Sequence, residues 1–310
     1  MGGSDGGGSV LGGAVTDLPV SLAVPSLRDL LALVKPRITL MLLCTTVGGL
    51  YFAPGRPALD KVLLVLLGTA LVVGGANALN MYLERVSDGL MRRTQNRPLP
   101  SGRVSPRVAL WFGVGLGVAS MPILAIGANP LTALLGAIAF VSYVLVYTPM
   151  KKRSPMALFV GAVPGAMPPL MGWTAATGSL DAPGLVLFAI MCLWQVPHFL
   201  AITFYASEDF ERGGIKVMPL VESWGGVKMA RRTGALFAAA LVPTSLLLVR
   251  YHVAGLPYLV VALVGGGVFF GWSAYGLRRD AGRRWARSLF LVSLVYVTAL
   301  FVALAFSGGR

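Results

Sequence analysis

The sequence predicts an all-α integral membrane protein that crosses the bilayer with nine helices. Hydrophobic residues make up 56% of the chain and charged residues only 12%, and the mean hydropathy is +0.76. Soluble domains carry about twice that share of charged residues, so the composition argues against a soluble domain. A bilayer is crossed by about 20 consecutive, mainly apolar residues. Nine runs are long enough, at about 38–54, 61–82, 108–127, 130–149, 156–175, 184–205, 233–251, 254–276 and 286–306.

Two segments precede the first run. Residues 1–24 are rich in Gly and contain no Lys or Arg, so they lack the charged features of a signal or transit peptide. We expect them to form a disordered tail. Residues 26–37 have helical apolar spacing and should lie along the inner membrane surface. Residues 25–310 then form one polytopic membrane domain.

The connections between the runs are unequal. The outer connection 127–130 is barely a turn, whereas the inner connections 84–107 and 206–232 are long and polar. Each long connection follows an apolar run and opens with acidic residues. The polar chemistry is therefore expected on one side of the membrane.

The basic residues indicate which side that is. Of the 26 Lys and Arg residues, only Arg56, Lys61, Arg250 and Arg310 fall on the side opposite to the N-terminus. The positive-inside rule places the N-terminus and the two long connections in the cytoplasm and the C-terminus outside. We expect a multi-pass protein of the inner (cytoplasmic) cell membrane. This asymmetry accounts for the net charge of +14 without a nucleic-acid partner.

A polar stripe lies where the second run ends. Asn80, Glu84 and Asp88 recur every four residues, so they share one face if the helix continues. Carboxylates suit Mg²⁺, which keeps further positions for water and substrate phosphates. The stripe predicts a site for Mg²⁺ and a polyanion. A structural ion pair with neighbouring arginines is the alternative.

A second acidic segment opens the connection 206–232 with Glu208 and Asp209, and we expect it to face the stripe. Basic side chains near the two segments can bind phosphate oxygens through charge-assisted hydrogen bonds. These candidates are Arg92, Arg93, Arg97, Lys151, Lys152, Arg212 and Lys216.

Six stretches of the chain carry further motifs: 80–88, 91–102, 147–153, 168–173, 194–199 and 208–219. Together they resemble the UbiA superfamily of intramembrane prenyltransferases, and within it the members that farnesylate haem. The resemblance implies a UbiA-type helical bundle with its active-site mouth on the cytoplasmic side.

The resemblance also implies a reaction. Mg²⁺ and the diphosphate of farnesyl diphosphate would bind between the acidic segments, and the farnesyl group would join a vinyl group of haem B, with addition of water. Haem B is then a substrate, and Mg²⁺ the cofactor. Tyr147 is a candidate for stabilising the allylic cation. The implied metal ligands are Glu84, Asp88, Glu208 and Asp209.

One histidine inside a predicted span is a further candidate, because ionisable residues there are usually functional. His198 follows Pro197 and lies one helical turn after Trp194. The resemblance favours a contact of His198 and Trp194 with haem B, through the iron or a propionate. The alternative is a neutral histidine bonded to a carbonyl group freed by Pro197.

Two other functions stay open from the residues alone. One is a UbiA-type prenyltransferase acting on an aromatic acid that is a quinone precursor. The other is a membrane transporter, suggested by helix irregularities around 164–169 and Pro197. The resemblance further implies contact with membrane lipid and, as partner, a haem A synthase or a terminal oxidase assembly.

Overall fold

The structure is a computed structural model that describes residues 25–55, 57–278 and 281–307. All regular elements within these ranges are helices. The predicted tail 1–24, and the sides assigned to Arg56 and Arg310, lie outside the described residues.

The helices are, in chain order, α1 (Leu27–Leu33), α2 (Pro36–Phe52), α3 (Leu59–Leu90), α4 (Pro106–Gly127), α5 (Pro130–Met150), α6 (Ala157–Thr177), α7 (Ala182–Tyr205), α8 (Ser207–Arg212), α9 (Gly226–Arg250), α10 (Leu256–Tyr275) and α11 (Arg283–Ser307). Short 3₁₀ turns at Met218–Leu220 and Glu222–Trp224 follow α8.

Seven of the helices built from described residues are long and apolar enough to cross a membrane: α3, α4, α5, α7, α9, α10 and α11. The pair α1 and α2 meets the same criteria only if it is one span bent by 53°. Helix α6 corresponds to the predicted run 156–175 but contains Pro164, Pro168 and Pro169, which lower its hydropathy. The predicted all-helical membrane protein is therefore confirmed, with seven candidate spans, or eight with the bent pair.

The bend between α1 and α2 lies at Lys35, which adopts a left-handed conformation with φ 49°. Pro36 follows at the first helical position, where its missing N–H is not needed. Helix α1 buries Leu33 and exposes Leu27 and Leu31. Its position along the membrane surface stays a prediction.

Glycines allow the bundle to pack backbone against backbone. A Cβ atom added at Gly49 of α2 would overlap the carbonyl oxygen of Pro169 in α6, and one at Gly172 would overlap that of Thr46. Small residues of this kind are enriched where membrane helices approach closely. The contact fixes α2 against α6 and so places Lys35, at the start of α2, over the bundle interior.

Candidate functional site

Helix α3 continues past the predicted end of its apolar run and ends at Leu90. This extension carries Asn80, Glu84 and Asp88, all of which are buried, with Asp88 fully inaccessible. All three line one cavity of about 300 Å³. The structure thus brings the predicted polar stripe together on one wall of a pocket.

Each residue of the stripe contacts a different cationic side chain. Lys151 Nζ lies 2.8 Å from Glu84 Oε1, and Arg97 Nη1 lies 2.7 Å from Asp88 Oδ2. Lys35 Nζ donates to Asn80 Oδ1 at 3.0 Å. The ion pair with a neighbouring arginine that was the alternative therefore exists at Asp88, whereas Glu84 pairs with the distant Lys151. Both pairs lie inside the cavity that would bind the polyanion.

Lys35 is a site residue that sequence reasoning missed. It was assigned only to a surface segment, and its place in the cavity follows from the packing of α2 against its neighbours. It lies between α1 and α2, where burial and the nearby charges of Arg97 and Lys151 lower the pKa of its ammonium group to about 7. The only local signal is the Lys-Pro pair ahead of the first span.

An unusual turn of α5 supplies the aromatic part of the cavity. Residues Ser142–Tyr147 form a π-helix, a feature often found at functional sites. It is held by Thr148, whose hydroxyl donates to the carbonyl oxygen of Tyr143 and accepts from the Asn80 side chain. The rings of Tyr143 and Tyr147 lie side by side with centroids 5.1 Å apart, and both line the cavity.

Lys151 joins this aromatic wall to the stripe. Its ammonium group lies 4.5 Å from the centroid of the Tyr147 ring, as well as beside Glu84. Burial disfavours the charged ammonium, but Tyr147 and Glu84 outweigh burial and raise the pKa of Lys151. The residue is therefore a fixed positive charge next to the aromatic rings.

The remaining basic candidates divide into two groups. Arg93 and Lys216 line the cavity, and the backbone N–H of Lys216 donates to the carbonyl oxygen of Lys151 at 2.8 Å. Arg92, Lys152 and Arg212 are exposed and do not line it. Four of the seven predicted phosphate-binding side chains, Arg93, Arg97, Lys151 and Lys216, therefore surround one pocket.

The second acidic segment lies in α8, close to the first connection but outside the cavity lining. Asp209 Oδ1 accepts from the backbone N–H of Arg92 at 3.2 Å and lies 3.4 Å from Arg212. The Glu208 side chain is 74% exposed. Within the described ranges, no three or more His, Cys, Asp or Glu side chains cluster as a metal site. Asp209 joins the two connections here, and its role as a metal ligand stays a prediction.

The donor set at the stripe nevertheless fits one Mg²⁺ ion. Asp88 Oδ1 is buried and has no hydrogen-bond partner among the described residues, since Arg97 contacts only the other oxygen. Glu84 provides a second carboxylate one helical turn earlier. Mg²⁺ commonly takes one or two carboxylates and fills its other positions with water and phosphate oxygens. Asp88 and Glu84 can supply those carboxylates.

His198 and Trp194 lie on the other side of α7, against α11. The hydroxyl of Ser293 donates to the carbonyl oxygen of Phe290 at 2.6 Å and lies 2.7 Å from His198 Nδ1. That hydroxyl therefore accepts from Nδ1–H, which leaves Nε2 as the unprotonated nitrogen. Trp194 stacks on the imidazole and donates to the carbonyl oxygen of Ser293. Neither residue lines the cavity of the stripe.

Comparison with known proteins identifies a family and a fold. The sequence pattern of the UbiA prenyltransferase family matches residues 41–295. The chain is 54% identical, over 91% of its own length and 94% of the relative's, to a protein named protoheme IX farnesyltransferase in Anaeromyxobacter sp. (strain Fw109-5).

Solved structures share the fold at low sequence identity. One, from work on digeranylgeranylglyceryl phosphate synthase in membranes, superposes with a TM-score of 0.77 at 18% identity and covers 91% of this chain and 98% of that chain. A UbiA homolog from Archaeoglobus fulgidus bound to GPP and Mg²⁺ superposes with a TM-score of 0.64 at 17% identity, covering 89% and 99%.

Proposed function

The chain belongs to the UbiA prenyltransferase family, and from this premise we propose that it transfers the farnesyl group of farnesyl diphosphate to a vinyl group of haem B. Water adds to the product, so that haem O and diphosphate result. The membership confirms the resemblance carried by the sequence motifs. The assignment of haem B as the acceptor rests on the 54% identity to a protoheme IX farnesyltransferase over nearly the whole of both chains.

The chain's own residues can bind the diphosphate at the stripe. Asp88 and Glu84 would hold Mg²⁺, which when bound stabilises the negative charge of the leaving diphosphate. Arg93, Arg97 and Lys151 lie around the same cavity and can donate charge-assisted hydrogen bonds to phosphate oxygens. Lys35 and Lys216 complete this set from the remaining sides.

The cavity walls suit an allylic cation. The C–O bond of farnesyl diphosphate breaks and its electron pair leaves with the diphosphate. The vinyl group then attacks the allylic carbon, and the new haem cation takes up water and loses a proton. Tyr143 and Tyr147 can face the allylic cation with their rings. Leu158, Phe199 and Leu200 line the same cavity, and they offer the farnesyl chain an apolar surface that excludes water.

We assign the haem contact to His198 and Trp194. Metal-ligating histidines usually donate their other ring N–H to a fixed partner, and Ser293 holds Nδ1–H of His198 in this way. Nε2 then keeps a lone pair for iron. Four polar residues outside the cavity lining complete the proposal. Arg92 and Lys152 would contact diphosphate or propionate oxygens, and Glu208 and Asp209 would be further metal ligands.

The proposed membrane arrangement has nine spans, with α2 and α6 added to the seven long apolar helices. Helix α2 has 17 residues, about 25 Å at 1.5 Å per residue, which nearly matches the hydrocarbon core. With residues 1–24 as a tail and 25–310 as the membrane domain, we infer from the excess of Lys and Arg that the cavity mouth opens at the cytoplasmic face of the inner membrane. A haem A synthase or terminal oxidase assembly would receive the product.

One alternative acceptor shares the chemistry of the cavity. The cavity lining offers groups for a diphosphate and for an allylic cation, whereas His198 and Trp194 lie outside it. A quinone-precursor aromatic acid is therefore the second candidate. Membership in a prenyltransferase family leaves the transporter alternative without support.

Mass spectrometry of the products decides between the acceptors. Purified protein is incubated with farnesyl diphosphate, Mg²⁺ and either haem B or 4-hydroxybenzoate. We expect haem O from the first mixture and no prenylated acid from the second. A prenylated acid with unchanged haem B would favour the alternative, and an Asp88→Asn variant controls for uncatalysed reaction.

A further inference from the structure

We propose that Lys151 and Arg97 make metal binding at the stripe depend on the diphosphate. In the structure each cation lies on one of the two carboxylates that would hold Mg²⁺. They thereby disfavour a divalent cation on its own and move to phosphate oxygens when a diphosphate arrives. The inference rests on the site of the proposed function and concerns the coupling between its two ligands.

The ion pairs are buried enough to compete with a metal. The side chains of Asp88 and Glu84 are 1% and 7% exposed, and those of Arg97 and Lys151 are 24% and 17% exposed. Removing the partner of a buried charge is strongly unfavourable because the remaining charge is then uncompensated. A metal ion that takes Glu84 would leave Lys151 in that position, and one on the free Oδ1 of Asp88 would place its charge beside Arg97 on the other oxygen.

The charge balance of the cavity also disfavours a divalent cation that binds alone. Among the described residues that line it, Arg93, Arg97, Lys151 and Lys216 are cationic and Glu84 and Asp88 are anionic, and Lys35, with a pKa of about 7, is partly charged. The positive groups outnumber the negative groups at least two to one and repel a further divalent cation. A diphosphate supplies the missing negative charge, so metal and diphosphate bind together more favourably than either binds alone.

Such coupling is reciprocal, because each ligand must raise the affinity of the other by the same factor. Lys151 is the more informative of the two cations for a test, because the Glu84 carboxylate is its ion-pair partner and the residue follows the end of α5. A neutral side chain at 151 frees Glu84 for a metal but also removes a phosphate contact. The affinities for the two ligands should therefore change in opposite directions.

Binding of Mn²⁺, followed by electron paramagnetic resonance with full-length protein in detergent, tests the proposal. In the wild-type chain, farnesyl diphosphate without haem is expected to raise Mn²⁺ affinity by at least about tenfold, within the usual range of coupling between sites. In Lys151→Met, Mn²⁺ alone should bind several-fold more tightly, and the enhancement by farnesyl diphosphate should shrink. Lys228→Met, a change at an exposed lysine of α9, should behave like the wild type.

Equal wild-type affinity for Mn²⁺ with and without farnesyl diphosphate would overturn the inference, as would weaker binding of Mn²⁺ alone to Lys151→Met. If that variant does not fold, Lys151→Gln carries the same expectation, and Lys151→Arg should retain the coupling. If the wild-type chain binds no farnesyl diphosphate even with Mn²⁺, the proposed function fails instead.

Discussion

Arg97 and Asp88 form a 2.7 Å ion pair between the connection that follows α3 and the last turns of that helix. Thr94 also holds this connection against the end of α3, because its hydroxyl donates to the carbonyl oxygen of Asp88. A carboxylate near a helix C-terminus is unfavourable beside the helix dipole, and the guanidinium group compensates it. The pair therefore stabilises the fold of the connection and holds Asp88 in the cavity.

The first prediction is that Asp88→Asn removes turnover while the protein still folds. The amide oxygen can still accept from Arg97, but the side chain loses the negative charge that would bind Mg²⁺. We expect the rate of haem O formation to fall at least about 100-fold, or roughly 3 kcal/mol in barrier height. The measurement is mass spectrometry of haem with detergent-purified variant that elutes as a single species.

The matched control for this variant is Asp60→Asn, because Asp60 is exposed at the first turn of the same helix. It should keep the wild-type rate. Near-normal haem O production by Asp88→Asn would remove Asp88 from the metal site.

The stripe itself could be predicted because its residues lie on one continuous helix, where sequence spacing determines the face. Local periodicity gives this information for Asn80, Glu84 and Asp88, and α3 carries all three into one cavity. Lys35 could not be found in this way, since its approach to Asn80 depends on how α2 packs against α3 and α6. The π-turn of α5 was also missed, because a single extra residue in a helical turn has no clear sequence pattern.

The second acidic segment shows the limit of an argument from similarity between two loops. Both connections open with acidic residues, but the side chain of Asp209 binds the backbone of the other connection and not the cavity. For His198 the sequence indicates a polar role inside a span but not which neighbouring helix the side chain faces. Only the contact with Ser293 shows that it faces α11.

The second prediction concerns removal of divalent cations. Excess EDTA should stop turnover, because without Mg²⁺ at Asp88 and Glu84 the negative charge of the leaving diphosphate loses the metal that would stabilise it. Added Mg²⁺ should restore the rate, whereas Na⁺ at equal ionic strength should not. Full turnover in excess chelator would exclude a metal requirement.

The third prediction separates the two substrates at His198. His198→Ala should raise the KM for haem B by about tenfold, which corresponds to about 1.4 kcal/mol. The KM for farnesyl diphosphate should stay unchanged, because His198 faces α11 and does not line the stripe cavity. Ser293→Ala should show the same pattern in weaker form, since it removes the acceptor of Nδ1–H. Equal weakening of both substrates would identify a purely structural histidine.

The fourth prediction concerns Lys35. Lys35→Met removes an ammonium group that would donate a hydrogen bond to a phosphate oxygen. A hydrogen bond to a charged group contributes about 1.5–3 kcal/mol. The affinity for farnesyl diphosphate should therefore fall by roughly 10- to 100-fold. Titration calorimetry with farnesyl diphosphate and Mg²⁺ measures this affinity. Lys61→Met, a change at an exposed lysine near the N-terminal end of α3, should leave affinity unchanged. An unchanged affinity in Lys35→Met would mean that Lys35 only positions Asn80.

The fifth prediction is that Gly49→Ala destabilises the bundle although alanine is the better helix former. In an open helix position the exchange gains up to about 1 kcal/mol, whereas an added methyl group in a closely packed interface costs about 1–3 kcal/mol. At Gly49 the new methyl group would overlap the backbone oxygen of Pro169, and backbone atoms cannot turn away as a flexible side chain can. The overlap should therefore dominate, and α2 would have to move away from α6, taking Lys35 with it.

Gly115→Ala is the control, because no other part of the described chain lies within 4 Å of a Cβ added there. Thermal unfolding in detergent should show a lower midpoint for Gly49→Ala and an unchanged or higher one for Gly115→Ala. Equal midpoints for the two variants would contradict the close approach of α2 to α6.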